Sequence, residues 1–188
     1  MIKAVAIGTS YGGMEAIRTL LSKLPDSFHL PVIIVLHIGN NNITSFLTQL
    51  NKKTYFTVKE AEDKETIREK TVYFAPPNYH LQVEDDYSFS LSTDKKINYS
   101  RPSIDVLFET SAWTFKERLV GILLTGSNYD GARGLLTIKK YGGKTIVENP
   151  ETAFAQSMPS AATELFEPDY VLDLENIADK LLELSNES

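Results

Sequence analysis

Three side chains in this chain carry the ingredients of nucleophilic acyl transfer: Ser10, His37 and Asp130. A serine hydroxyl is a poor nucleophile until a base removes its proton. A neutral imidazole can be that base when a carboxylate fixes its tautomer and stabilises the cation that forms. Gly8-Thr9-Ser10-Tyr11-Gly12 has the Gly-x-Ser-x-Gly spacing of a nucleophile elbow, where glycines let backbone pack closely around a strained serine between strand and helix. Each residue also has a plainer reading. Ser10 could cap a helix or sit in a phosphate-cradling turn, His37 could be a hydrogen-bonded half-buried ring, and Asp130 could be a helix cap. Their shared placement favours the chemistry, because each follows a short apolar run.

Those runs define the elements that must position the three side chains. The apolar residues from Ile2 to Ile7 break at glycines and resume at Ala16, Ile17, Leu20 and Leu21, the pattern of a buried strand, a tight turn and a helix. Residues 30–36, 119–124 and 144–148 repeat the strand pattern, and continuous apolar strands are those of a parallel sheet covered on both faces. Residues 43–50, 132–141 and 177–184 read as helices. Another opens at Arg101-Pro102-Ser103-Ile104-Asp105, with Asp105 suited to the positive end of its dipole and Ile104, Leu107, Phe108, Ala112 and Phe115 on its buried face. The mixed charges of residues 59–70 read as a solvated connection, and residues 39–42 as a polar loop. Residues 71–92 read as an antiparallel excursion, in which Tyr87, Phe89 and Leu91 alternate with serines. His80, beside the Pro76-Pro77-Asn78 turn, is a candidate cleft residue. The expected fold is a doubly wound α/β domain: a mostly parallel sheet with helices on both faces, right-handed crossovers and an antiparallel hairpin excursion. Ligands bind such sheets outside the carboxyl ends of the strands, where Ser10, His37 and Asp130 all emerge.

A chain of 188 residues suffices for one domain, residues 1–188, with a substantial core. The formal charge of −6, with scattered lysines and arginines, leaves no footprint for nucleic acid or an anionic membrane. Cysteine is absent, which excludes disulfide and thiolate chemistry and fits a reducing cytoplasm. Met1-Ile2-Lys3 runs straight into strand rather than a leader, and no apolar run approaches membrane-spanning length. A soluble, cytoplasmic protein without membrane insertion is expected, and neither metal nor organic cofactor is called for.

Several segments together resemble the catalytic domain of the chemotaxis protein-glutamate methylesterases, the CheB type. They are Ile7-Gly8-Thr9-Ser10-Tyr11-Gly12-Gly13, Leu36-His37-Ile38, Ala75-Pro76-Pro77-Asn78-Tyr79-His80, Arg101-Pro102-Ser103-Ile104-Asp105-Val106-Leu107-Phe108, Leu124-Thr125-Gly126 with Asp130-Gly131-Ala132, and Met158-Pro159-Ser160-Ala161-Ala162. They occur in the family's order along nearly the whole chain. The resemblance implies hydrolysis of glutamate γ-methyl esters on the cytoplasmic helices of chemoreceptors, with release of methanol, and often deamidation of receptor glutamines. It implies Ser10 as nucleophile, His37 as general base and acid, and Asp130 as the residue that orients His37. Candidate oxyanion donors are the backbone N–H groups of Tyr11, near the start of the first helix, and of Ser127.

The chain departs from the family pattern in three places. Tyr11 is bulky where the family has a small residue or threonine, which would narrow the cleft. The family's Gly-Met-Gly-x-Asp loop reads Gly126-Ser127-Asn128-Tyr129-Asp130, with asparagine as the least costly replacement if its second glycine is left-handed. The phosphorylatable receiver domain that usually precedes the family's catalytic domain is not expected, nor is control by phosphorylation within this chain, although a larger signalling assembly would accommodate it. These departures leave a rival of a different class, a catalytically weakened receptor-docking or scaffolding module. A phosphate-binding turn at Gly8 to Gly13 ranks last, because His37 stands where an acidic ribose ligand would close the second strand.

Overall fold

The apolar runs do form the central strands, because residues apolar on both sides are stable only between two helix layers. A computed structural model describes residues 1–38 and 42–187, so residues 39–41 of the expected polar loop lie outside the described residues. The elements are β1 (Ala4–Thr9), α1 (Gly13–Ser22), β2 (Val32–Leu36), α2 (Thr44–Lys53), β3 (Thr57–Glu60), β4 (Thr71–Phe74), β5 (His80–Val83), β6 (Phe89–Ser92), α3 (Ile104–Phe115), β7 (Leu119–Leu123), α4 (Ala132–Lys140), β8 (Lys144–Glu148), α5 (Ser157–Leu165), β9 (Tyr170–Leu172) and α6 (Leu174–Asn186).

Seven strands form one sheet in the order β3-β4-β2-β1-β7-β8-β9, with every neighbouring pair parallel. Helices α1, α2 and α6 cover one face, where Ile17, Leu20, Phe46, Leu50 and Leu181 pack on Val5 and Ile7. Helices α3, α4 and α5 cover the other, where Ile104, Phe108, Leu135 and Met158 pack with Ala4 and Ala6. Two sequence expectations change. The charged stretch begins with an edge strand, β3, whose Val58 is buried while Thr57 and Glu60 are exposed; one apolar residue among charges left no periodicity to read. The antiparallel excursion is also shorter than expected, since β4 joins the main sheet beside β2 and, among the described strands, only β5 and β6 pair antiparallel.

The crossovers β1 to β2 and β7 to β8 run in opposite lateral directions, so the switch point of the sheet lies at the carboxyl ends of β1 and β7. Register fixes what arrives there. Thr9 pairs with Leu36 and Gly8 with Leu123, so Ser10, His37 and the loop after β7 leave the sheet nearly level. Gly8 also lets α3 approach: a Cβ on it would lie 2.2 Å from Ile104 Cγ2, a fully buried methyl. Gly8→Ala is therefore expected to destabilise the fold by about 1–3 kcal/mol through overpacking. Urea unfolding measures this, and a neutral result would contradict the tight contact.

Candidate functional site

Ser10 stands one residue beyond β1, on a turn held from several sides. Its N–H donates to the Thr125 carbonyl at 3.0 Å and its own carbonyl accepts from Gly13 at 2.8 Å. Thr125 is the hub. Its carbonyl also accepts from Thr9 Oγ1 at 2.8 Å, its hydroxyl donates to the Tyr11 carbonyl at 2.9 Å and accepts from Ala155 N–H at 2.8 Å, and its N–H donates to Glu148 Oε2 at 2.7 Å. Helix α1 is capped by Gly12, whose φ of 84° is left-handed, so Ser10 does not spend its hydroxyl as the cap. Gly126 makes room beside the serine: a Cβ there would lie 3.0 Å from Ser10 Cβ and 2.7 Å from Met158 Cε. Tyr11 lies at the rim, 62% exposed, with its ring tilted against that of Phe154 and the centroids 5.1 Å apart. The N–H groups of Tyr11 and Ser127 have no protein acceptor among the described residues.

His37 follows β2, and its N–H donates to the Thr9 carbonyl at 3.0 Å. It lines the same cleft as Ser10, together with Tyr11, Gly12, Leu36 and Ile38. The two ring nitrogens face different partners. Nε2 lies 3.0 Å from Asp130 Oδ2, a close contact whose direction falls short of a linear hydrogen bond. Nδ1 lies 3.0 Å from Asn128 Nδ2. The Asn128 carbonyl Oδ1 accepts the Asp130 N–H at 3.0 Å, and a backbone N–H can only donate, so the amide nitrogen is the atom turned to His37. Nδ1 therefore accepts, and in the neutral ring the proton sits on Nε2, toward the carboxylate.

Asp130 is fully buried. Rather than capping α4, whose N-cap is Gly131, it reaches across to the start of α3. There Ile104 N–H donates at 2.6 Å, Asp105 N–H at 3.2 Å, Ser103 Oγ at 2.9 Å and Asn98 Nδ2 at 2.9 Å. Burial pushes this carboxyl up, but His37, Asn98 and the Ile104 N–H outweigh it and hold it below the ordinary range. Asp105 makes the opposite crossing. Its side chain serves not its own helix but the start of α4, accepting from Gly131 N–H at 3.0 Å, Gly134 N–H at 2.7 Å and Asn98 Nδ2 at 2.8 Å. Burial pushes Asp105 up, and the nearby Asp130 charge adds to the rise.

His80 is not a cleft group. It is 2% exposed, its Nδ1 accepts the Ser103 N–H at 3.1 Å, and its Nε2 therefore donates to the Lys95 carbonyl at 3.0 Å. Both nitrogens are committed to backbone, and the ring holds the α3 N-cap that in turn holds Asp130. Asn128 is not left-handed, so tolerance of positive φ does not explain it; its side chain is what the site uses. Thr125, Glu148, Asn98 and Asp105 escaped the sequence reading as site-building residues. Two of them carried a signal, Thr125 at the end of an apolar run and Asp105 as an acid at a helix start, whose partner was the other helix. Among the described residues, no group of three or more His, Cys, Asp or Glu side chains has metal-holding geometry.

The doubly wound parallel sheet thus brings a serine, a histidine and a buried aspartate to its switch point. The family model described as CheB methylesterase matches residues 5–181, and the chain belongs to that family. A Leptospira interrogans relative named for protein-glutamate methylesterase and protein-glutamine glutaminase is 47% identical, over 97% of this chain and 94% of its own length. A Clostridium acetobutylicum protein of the same name is 37% identical over 97% of this chain, which spans 53% of that relative. The crystal structure of the Thermotoga maritima CheB methylesterase catalytic domain superposes with a TM-score of 0.93 at 35% identity, covering 98% of this chain and 99% of that one.

Glu148, beneath the Thr125 hub, is pushed up by burial, opposed by the Thr125 N–H and raised further by Asp173. A carboxyl with a folded pKa above its unfolded one adds stability at low pH that is lost as pH rises through the folded value. Glu148→Gln keeps an acceptor for Thr125 without the charge. Its stability relative to wild type should therefore grow as pH rises from below the ordinary glutamate range through the raised pKa of the folded carboxyl, as read by urea unfolding. A constant difference would place the carboxylate in an ordinary environment.

Proposed function

We propose that this protein is a serine esterase that hydrolyses glutamate γ-methyl esters on cytoplasmic chemoreceptor helices, giving glutamate and methanol, and that it acts in the cytoplasm. Ser10 Oγ attacks the ester carbonyl carbon while His37 Nδ1 takes the hydroxyl proton. The N–H groups of Tyr11 and Ser127 hold the negative oxygen of the tetrahedral intermediate. Its collapse breaks the bond to the methoxy group, which leaves as methanol with the proton from His37. Water then attacks the acyl-serine, gives a proton to His37 and frees the glutamate, and the proton returns to Ser10. Asp130, held anionic, keeps the Nε2 proton toward itself and stabilises the imidazolium through both steps. The same sequence on a glutamine side chain releases ammonia, the second activity in the relatives' names.

The observation that carries this reading is the setting of His37: one ring nitrogen faces a buried carboxylate, and the residue lines the cleft that Ser10 shares. The rival scaffold draws support from Ser10 Oγ, which has no hydrogen-bond partner among the described residues. Ser10→Ala separates the two. It removes only an unpartnered hydroxyl, so the fold should stay intact by thermal melt while methanol release from methylated receptor falls at least about a thousandfold. Undiminished release would eliminate the serine mechanism, and absence of release from wild type would favour the scaffold.

A further inference from the structure

An imidazole nitrogen that acts as base has one in-plane lone pair, and it can accept from one donor at a time. In this structure the donor to His37 Nδ1 is the Asn128 amide at 3.0 Å. The amide is held in that sense by its other end, since Oδ1 accepts the Asp130 N–H at 3.0 Å. Asn128 thus spans the imidazole and the backbone of the aspartate behind it, and fixes the ring from the side opposite the carboxylate. The lone pair that would deprotonate Ser10 is already occupied.

We propose that Asn128 is the gate of this site: a positioning residue whose amide occupies the base lone pair in the free protein and must leave before Ser10 can be activated. The inference rests on the esterase reading above. Opening exchanges one hydrogen bond to Nδ1 for another, from the Asn128 amide to the Ser10 hydroxyl, so the two states lie close in free energy. An ester entering the cleft supplies what the closed state lacks, a carbonyl oxygen that can accept the released amide. Asn128 is placed for such a movement. Ser127 and Tyr129 on either side are exposed, whereas Gly126 and Asp130 at the ends of the segment are buried and hydrogen-bonded. The serine would then be idle until an acceptor arrives, which limits wasteful reaction with solvent-borne electrophiles.

The test uses the whole chain and a small fluorophosphonate, which reports how often the Ser10 hydroxyl is activated without needing receptor. Asn128→Ala frees the lone pair, and labelling of Ser10 followed by intact mass should accelerate about three- to tenfold, the range expected for one lost hydrogen bond. Equal or slower labelling by a variant with an unchanged thermal melt would overturn the gate, slower labelling pointing instead to a donor for the reacting oxygen. Nitrogen-15 spectra of labelled histidine supply a readout that a merely structural role would not move. His37 Nδ1 should carry no proton in the wild type, and its resonance should shift when the amide is removed. A proton found on Nδ1 would overturn the contact itself. If neither protein labels while the spectra behave as expected, the esterase reading fails, the gate falls with it, and the amide contact stands as structural.

Discussion

A carboxylate removed from water must find its compensation within the protein or take up a proton. Asp130 is fully buried, and what keeps it anionic is the first turn of α3 together with Ser103, Asn98 and His37. The unpaired N–H groups at a helix start carry partial positive charge, so the carboxylate and the helix satisfy each other. Other features follow from that need. Gly8 lets α3 lie close to β1, and His80 ties the α3 cap to β5. Asp105 answers by satisfying the start of α4.

The turn that carries Ser10 is organised by a different device, yet the two meet in one loop. Residues 125–130 begin at Thr125, which binds the backbone of Ser10 and Tyr11, and end at Asp130. Asn128 lies between them on His37. A short segment thus fixes the separation between the turn that carries the hydroxyl and the carboxylate that steadies the imidazole. Gly126 sits where the loop passes beside Ser10, which couples the loop's path to the serine's position.

Much of this was legible in the sequence because it depended on local pattern. Apolar runs ending in Gly8, His37 and Thr125 announced parallel strands that deliver polar groups to one edge, and the seven-stranded sheet follows them. The edge strand β3 was not legible, because a half-solvated strand needs few apolar residues and its charges read as loop. Nor were the crossed partners of Asp105 and Asp130. An acid near a helix start looks the same whether it serves its own helix or a neighbour's, and only the packing of α3 against α4 decides. His80 misled for a related reason: beside a proline turn it could face the cleft, and its burial against Lys95 and Ser103 arises from contacts distant in sequence.

The exchange of carboxylates between α3 and α4 bears on how the molecule is built over time. Each helix start is satisfied by an acid carried at the other's threshold, so neither docks stably alone and the pair must settle in one cooperative step. Ser10 and His37 are synthesised before both acids, which follow them along the chain. A nascent or truncated chain would therefore display a hydroxyl and an imidazole with no anion behind them, and the polar cluster at the sheet edge would be assembled only on completion of the fold.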